Sequence, residues 1–423
     1  MRIYYSLYGC LLNKQRLHNG FKKVWKAKGA AGIDRQSLSH YASNLSDNLD
    51  QLLNELQNKT YQPYPVRRVE IPKDDGGVRL LGIPAVRDRV VQQALAEIPT
   101  PIFDLSFHPS SYGYRPKRSA HDAINKATLF IRQYDRRHVV DMDLSKCFDK
   151  LDHELIIKSI HRRVTDGSIL ELINKFLKSG VMVEGNLRET TVGSPQGGVI
   201  SPLIANIYLD YFDQEMMKHN HRIVRYADDI LILCCSKKAA ENALMTAEKI
   251  LEQQLKLTIN SDKTHIAHSN DGIKFLGVEI GSNYTRVQSK KLKGFKEKLK
   301  WMSKRNSGRP LSVIIRALNP ILRGFSQYFK IANCGRVFKA IAGWLRRGLR
   351  SIQLKLWKKP ARLHRRLKQL GYKPPFKAVS MSKWNTSLSP LASYSMPNKW
   401  FDELKLFNLE RVSVGNVPSM KMM

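Results

Sequence analysis

Three aspartates in two short apolar segments carry the strongest chemical signal in this sequence. Asp143 lies in the run from Val139 to Leu144, whose composition suits a β-strand. Asp228 and Asp229 interrupt the apolar stretch I-V-R-Y-A-D-D-I-L-I-L-C-C, which predicts two buried strands joined by a tight turn. Because side chains alternate along a strand, we expect Asp143 to project from the face opposite its apolar neighbours.

Carboxylates crowded at such a turn indicate a site for divalent cations, since they repel one another unless a cation neutralises them. Nucleotidyl transfer requires such a site, because two Mg²⁺ ions about 3.5–4 Å apart activate a primer 3′-hydroxyl and stabilise the departing pyrophosphate. We predict that Asp143 and Asp228 bind both ions and that Asp229 is a weaker or supporting ligand. Leu144 is included in the predicted metal site, and Mn²⁺ is expected to substitute for Mg²⁺.

A single aspartate at a strand end more often forms a turn or caps a helix. The metal site is favoured here because Tyr226-Ala227-Asp228-Asp229 is set between apolar strands and accompanied by Asp143. Asp141 and Asp149 lack that context, so we interpret them as solvated or structural acids.

The charge of the chain indicates a polyanionic partner. Lys and Arg number 71 against 36 Asp and Glu, which gives a formal net charge of +35 over 423 residues. The excess of basic residues is concentrated between Arg286 and Lys377, a segment that contains twenty-seven Lys or Arg and one acid, Glu297. Nucleic acid is the favoured partner, and an anionic membrane surface is the alternative.

The pattern along the chain predicts a mixed α/β body followed by helices. The first sixty residues indicate helices, and V-R-R-V-E-I-P-K-D-D-G-G-V-R-L-L-G-I-P indicates a β-hairpin. Short apolar strands alternate with helical stretches from about Arg87 to Gly281, including a helix over Ser236 to Leu255. Beyond them a helical period continues, with Pro320 suited to the first turn of a new helix.

The remaining composition excludes several classes of protein. The five cysteines form no C-x-x-C pair and have no histidines at zinc-ligand spacing, which favours reduced structural thiols. No apolar stretch reaches the roughly 20 residues that span a bilayer, and the N-terminus lacks the apolar core of a signal peptide. The expected location is the bacterial cytoplasm, with association with the nucleoid left open.

Ordered motifs over nearly the whole chain resemble the reverse transcriptases encoded by bacterial group II introns. The motifs that carry the resemblance are K-G-A-A-G-I-D, I-P-K-D-D-G-G-V-R-L-L-G-I-P, D-R-V-V-Q-Q-A-L, S-Y-G-Y-R-P-K-R-S, D-L-S-K-C-F-D-K-L-D-H, S-P-Q-G-G-V-I-S-P-L-I-A-N-I-Y-L, Y-A-D-D, S-D-K-T and F-L-G. The resemblance implies an α+β right-hand polymerase with fingers, a palm built on an antiparallel sheet, and an α-helical thumb. It divides the chain into an N-terminal extension (1–60), fingers and palm (61–284), a thumb or maturase domain (285–372) and a small helical DNA-binding domain (373–423).

The resemblance also implies roles for individual residues. Phe148 matches the aromatic position that blocks a ribose 2′-hydroxyl and so favours dNTPs, with an ordinary core aromatic as the alternative. Lys73 and Arg79 match positions that grip the incoming triphosphate. Gln196 and Gly197 match the segment that lines the templating base pair.

Three further motifs are assigned by resemblance with their alternatives open. Lys263 matches a lysine that protonates or neutralises departing pyrophosphate, against a merely solvated lysine. The segment around Tyr112, Gly113 and Arg115 contacts template or is structural, and Phe275-Leu276-Gly277 matches the primer grip. Aromatic side chains of the thumb stack on bases or belong to the core, which is the commoner case at helical spacing. They are Tyr328, Trp344 and Trp357.

The resemblance therefore predicts an RNA-directed DNA polymerase of a group II intron. Its expected partners are an RNA template with a DNA or RNA primer, dNTPs, intron RNA that it helps to splice, and target DNA, with no membrane. The chain shows no H-N-H or Cys-pair endonuclease motif, which is typical of a compact subgroup. Two alternatives remain: an RNA-binding maturase without polymerase activity, and a domesticated relative in defence or DNA repair.

Overall fold

The chain folds as two compact units, residues 1–268 and 269–423. The computed structural model describes residues 2–72, 77–183, 186–188, 192–193, 197–376 and 390–415. The division falls earlier than the boundary at 284 that the sequence predicts between palm and thumb. The assignment of functional domains to these segments stays a prediction.

The first unit contains eleven of the helices that the structure describes. They are α1 (Tyr8–Leu11), α2 (Lys14–Ala27), α3 (Leu38–Ser43), α4 (Leu45–Gln57), α5 (Val86–Ala96), α6 (Thr100–Asp104), α7 (Ala120–Arg132), α8 (His153–His161), α9 (Gly167–Leu177), α10 (Ser201–Lys218) and α11 (Lys237–Glu248). A π-helical turn over Lys249–Gln254 extends α11, so the helix predicted over 236–255 is confirmed. The amphipathic spacing near residue 50 also forms a helix, because α4 buries Leu49, Leu52 and Leu56 on one face.

Eight of the strands that the structure describes lie in the first unit and form two sheets. The strands are β1 (Val66–Pro72), β2 (Val78–Ile83), β3 (His138–Asp143), β4 (Val181–Val183), β5 (Asn186–Arg188), β6 (Arg222–Tyr226), β7 (Asp229–Cys234) and β8 (His265–His268). One sheet has the order β2-β1-β4-β5, and its β1–β2 pair is the predicted hairpin, whose turn lies mostly outside the described residues.

The other sheet has the order β6-β7-β3-β8 and is antiparallel throughout. Ile230, Leu231, Ile232 and Leu233 of β7 are all fully buried. A continuous apolar run of this kind is typical of a strand that is covered on both faces. Helices α7 and α11 pack against this sheet.

Asp166 connects the N-terminal segment to α9. Its side chain caps α9 by accepting hydrogen bonds from the backbone N–H groups of Ser168 and Ile169 at 3.0 and 3.1 Å. Its other oxygen accepts from the N–H groups of Leu7 and Tyr8 at 2.6 and 2.8 Å. Burial by itself disfavours the charged form of Asp166 and raises its pKa. The four N–H donors outweigh this effect and hold the pKa of Asp166 below its ordinary value.

The second unit combines a small sheet with helices. Its described elements are β9 (Ile273–Phe275), β10 (Val278–Ile280), β11 (Thr285–Val287), α12 (Ser289–Met302), α13 (Leu311–Phe329), α14 (Gly335–Trp357), α15 (Pro360–Gln369), α16 (Pro390–Ser395) and α17 (Asn398–Glu403). Leu276 and Gly277 join β9 to β10 with positive φ angles of 46° and 81°, as a type I′ hairpin turn requires. The Tyr328 hydroxyl donates to the Leu276 carbonyl at 2.8 Å.

The prediction for Pro320 is wrong, because α13 runs through this residue without interruption. The proline lies on the exposed face of the helix, and so does Arg316, whose carbonyl loses its N–H partner. Water can satisfy that carbonyl, while buried Ile314, Leu318 and Leu322 continue the apolar stripe across the proline.

The three aromatic residues of the predicted thumb divide between the two interpretations that the sequence left open. Tyr328 is partly buried and hydrogen-bonded, and Trp357 packs against a core cluster around Leu354 and Leu363. Trp344 is 40% exposed and is available for a partner. In the described part of the chain we find no helix long and apolar enough to cross a membrane.

Replacing Asp166 by alanine is expected to lower the free energy of unfolding by about 2 kcal/mol at pH 7, because four N–H groups, one buried and three partly buried, lose their acceptor. The pKa of the folded carboxyl is lowered, so its stabilising contribution is present above the ordinary aspartate pKa and is lost as pH falls through the lowered value. Urea unfolding at pH 7 and at acid pH measures this difference.

Asp122 provides the control, since it belongs to an exposed capping box with Ser119 that involves α7 alone. Asp122→Ala is expected to cost about 1 kcal/mol or less. Equal losses for the two variants would contradict the connecting role of Asp166.

Candidate active site

The predicted aspartates meet at one end of the antiparallel sheet. Asp143, the last residue of β3, lies directly opposite Asp229, the first residue of β7. Residues paired in this way have Cβ atoms about 4.5–5.5 Å apart on the same face. Ala227 and Asp228 form the turn between β6 and β7, with a left-handed φ of 59° at Ala227. The sequence prediction of a tight turn between buried strands is confirmed.

The carboxyl groups at this strand end lie close enough to repel one another. Burial raises the pKa of Asp228 above its ordinary value, and Asp143 raises it further. Asp229 keeps exposed surface, yet crowding of protein around its carboxyl group, followed by the charges of Asp228 and Asp143, raises its pKa to about 7. Burial contributes most to both pKa shifts, and the charges of the neighbouring acids at this edge add to it. A cation at this position would relieve that repulsion.

Residues after the π-helical turn surround Asp143. The Asn260 amide donates to Asp143 Oδ2 at 3.2 Å, and the Asn260 backbone N–H donates to the Asp143 carbonyl at 2.9 Å. Lys263 Nζ lies 3.4 Å from Asp143 Oδ2 in an ion pair whose lysine is 57% exposed. Thr264 Oγ1 accepts the Asp143 backbone N–H at 3.4 Å. The exposed ammonium of Lys263 is therefore a counter-charge for Asp143, one of the three acids.

The carboxylates do not form a closed metal cage with their side chains as they stand. Within the described residues, no three histidine, cysteine, aspartate or glutamate side chains are grouped closely enough to hold a metal ion. The donor chemistry nevertheless fits a hard cation such as Mg²⁺, because all three candidates present carboxylate oxygens at one strand end. Leu144 is buried and bridges to Ile259.

Three further predicted site residues, Phe148, Arg79 and Gly197, lie within the described residues. Phe148 lies in the 3₁₀ turn Cys147–Lys150 that follows β3, and it packs partly buried against the main core. Arg79 on β2 is exposed, and its charge acts on Asp228. Gly197 has a φ of 120°, and a Cβ there would clash with the Gly82 carbonyl, so glycine is required for this close approach. Lys73 and Gln196 lie outside the described residues.

Sequence reasoning missed three residues that build the site. Asn260 was not considered, although it lies just before Lys263 in the N-S-D-K-T segment. Arg225 was not considered either, although an arginine within the apolar arm I-V-R-Y is a signal of a buried polar network. Gly113 was weighed only as a template contact, but a Cβ on it would clash with the backbone nitrogen of Ala227.

For Arg115, the structural interpretation fits the geometry. It is buried, pairs with Asp104 at 2.7 Å and donates to the carbonyls of His108 and Ser111, both at 2.9 Å.

Two family models match the chain. Residues 71–280, which contain all three aspartates, match the model described as "Reverse transcriptase (RNA-dependent DNA polymerase)". Residues 292–371 match "Group II intron, maturase-specific domain". The chain belongs to the group II intron family of reverse transcriptases. The α+β fold class and the RNA-directed DNA polymerase class that the sequence predicts are thereby confirmed.

Curated relatives of this group II reverse transcriptase agree with the family models. Protein YkfC of Escherichia coli is 38% identical over an alignment of 290 residues, and the match covers 59% of this chain and 76% of YkfC. Group II intron-encoded protein LtrA of Lactococcus lactis is 28% identical over 66% of this chain and 57% of its own length. The putative COX1/OXI3 intron 2 protein of Saccharomyces cerevisiae is 29% identical over 62% of this chain and 37% of its own length. The match thus spans less than two thirds of the latter two.

Gly113→Ala is expected to reduce primer extension by at least about tenfold, because the added methyl group pushes on the turn that carries Asp228. Single-nucleotide incorporation kinetics measure the effect. Gly167→Ala is the control, since a Cβ there has no atom within 4 Å. Unchanged kinetics in a folded Gly113→Ala protein would contradict the close packing of this segment on the turn.

Proposed function

We propose that this reverse transcriptase copies RNA into cDNA by two-metal nucleotidyl transfer at Asp143, Asp228 and Asp229. One observation carries the proposal: Asp143 and Asp229 are directly paired across β3 and β7, next to the turn that carries Asp228. The raised pKa values of Asp228 and Asp229 support it, because burial beside neighbouring carboxylates has this effect and isolated surface acids would not show it.

The carboxylates of Asp143 and Asp228 would hold two Mg²⁺ ions, or Mn²⁺ in their place, with Asp229 in support. When bound, the ions supply activation of the primer 3′-hydroxyl and stabilisation of charge on the leaving pyrophosphate. The Asn260 amide orients Asp143, because the hydrogen bond that it donates restricts rotation of that carboxylate. Leu144 would contribute through its backbone carbonyl, because its side chain is a hydrocarbon without a donor atom.

Lys263 is proposed to neutralise the departing pyrophosphate. Its ammonium pairs with Asp143 but stays more than half exposed, which leaves it free to exchange partners. Arg79, exposed on the hairpin strand β2, is proposed to bind the triphosphate together with Lys73. Gln196 and Gly197 would line the templating base pair, and Phe148 would exclude the 2′-hydroxyl of a ribonucleotide.

We further propose that the chain binds its intron RNA to assist splicing and mobility, and that it contacts target DNA. The match to the maturase-specific domain supports the RNA contact, and so does the excess of basic residues in the sequence from Arg286 to Lys377. Exposed Trp301 and Trp344 on α12 and α14 are suited to stacking on unpaired bases. The alternative of a maturase without polymerase activity is disfavoured because all three acids are retained.

Asp228→Asn is expected to abolish extension of oligo(dT) on poly(rA) while RNA binding survives, because the amide cannot neutralise a divalent cation. Primer extension and filter binding measure the two properties. Asp141→Asn is the control, since Asp141 lies on the same strand β3 but opposite Leu231. Persistent extension by Asp228→Asn would overturn the assigned site.

Phe148→Ala is expected to admit ribonucleotides, because removing the ring opens space at the sugar 2′ position. Competition between dNTPs and rNTPs in single-turnover incorporation measures the selectivity. Phe148→Tyr retains an aromatic ring and should keep the preference for dNTPs. If Phe148→Ala showed the same sugar selectivity as the unmodified protein, the residue would be an ordinary core aromatic.

A further inference from the structure

Arg225 is an arginine with no exposed surface, located on β6 three residues before Asp228. Its Nε donates to both oxygens of Asp213 at 2.8 and 3.0 Å, and Nη2 donates to Oδ2 of Asp213 at 2.6 Å. Asp213 is equally buried. The two charges therefore neutralise each other inside the core, with charge-assisted bonds on one side of the guanidinium.

The remaining Arg225 nitrogen connects this ion pair to the candidate catalytic turn. Nη1 donates to the Ala227 carbonyl and to Asn206 Oδ1, both at 3.0 Å. The Asn206 amide in turn donates to the Gly113 carbonyl at 2.8 Å. The guanidinium thus contacts α10 through Asp213 and Asn206, and the turn through Ala227.

The contact to Ala227 fixes the peptide that leads into Asp228. The Ala227 carbonyl and the Asp228 nitrogen belong to the same planar group, so a hydrogen bond to that oxygen sets the orientation of the next Cα. Ala227 holds a left-handed φ of 59°, which is uncommon for a residue other than glycine. A donor aimed at its carbonyl from the rigid core stabilises that conformation.

Fold stability alone does not require this arrangement. A buried ion pair is commonly no more stable than apolar side chains of similar volume, because desolvation offsets the attraction. Apolar side chains would leave the Ala227 carbonyl without this donor. The hydrogen bond from Nη1 is therefore the feature that apolar packing could not supply.

We propose that Arg225, supported by Asp213 and Asn206, is a positioning residue that holds the Ala227–Asp228 peptide in the geometry needed for catalysis. The inference rests on the proposed role of Asp228 as a metal ligand. Arg225 itself touches neither primer nor nucleotide in this mechanism; it acts through the turn.

The test uses the full chain and compares Arg225→Lys with Arg115→Lys. The first variant keeps the charge but loses the planar fork, so it cannot bind Asp213 and the Ala227 carbonyl together. Arg115 is a matched buried arginine that binds Asp104 and nearby carbonyls without a hydrogen bond to the turn. For each variant we would measure kcat, KM for dTTP and the Mg²⁺ concentration at half-maximal rate on poly(rA)/oligo(dT), together with Tm.

For Arg225→Lys we expect kcat to fall by about tenfold or more and the Mg²⁺ concentration at half-maximal rate to rise severalfold. KM for dTTP should change little, because the lost interaction aligns the reacting groups and does not bind the nucleotide. Arg115→Lys should lower Tm while leaving kcat and the Mg²⁺ requirement within about twofold of the parent. Parent-like kcat and Mg²⁺ dependence in folded Arg225→Lys would overturn the inference.

Asn206→Ala settles the question if Arg225→Lys does not fold, because it removes one anchor of the guanidinium without leaving a buried charge unpaired. It should lower kcat and raise the Mg²⁺ requirement in the same sense, and an unchanged Mg²⁺ profile would contradict the proposal. Asp228→Asn in the same assay separates the two levels of inference. Activity in that variant would refute the catalytic site itself, whereas its inactivity with normal Arg225 and Asn206 variants would refute the positioning role alone.

Discussion

The fold of the first unit depends on one constraint. Carboxylates that repel one another lie together at one end of an antiparallel sheet. The pairing of β3 with β7 holds Asp143 opposite Asp229, and the turn between β6 and β7 carries Asp228. Such a group is unfavourable without cations. The buried, continuous run from Ile230 to Leu233 provides the packing that keeps the acids together despite this cost.

Neighbouring segments define the turn from several directions. Gly113 lies against the backbone of Ala227 so closely that no side chain fits between them, and Asn260 binds Asp143 through both its amide and its backbone. These contacts come from residues distant in sequence, which means that the site forms only when the whole sheet has folded. A divalent cation bound here would therefore meet a backbone that is already in position.

The sequence predicted the strands and the turn of the candidate site well because their signals are local. Acids between apolar strands, a hairpin around D-D-G-G and the helical spacing of Leu49, Leu52 and Leu56 each specify their structure within a few residues. The prediction for Pro320 was wrong because the sequence rule for proline does not consider which face of a helix the residue occupies. In α13 the burial of the apolar stripe outweighs one lost backbone hydrogen bond. Arg225 and Asn260 were missed because their partners are set by tertiary contacts that no local pattern encodes.

The burial of the Arg225–Asp213 pair has an evolutionary consequence. Loss of either member alone leaves a lone charge in the core, at a cost of about 3–5 kcal/mol, which is a large part of the stability of an ordinary domain. A lineage that exchanges one residue must therefore pass through a poorly folded intermediate or change both together. In relatives of this chain these two positions should covary, with the arginine and the aspartate retained or replaced as a unit.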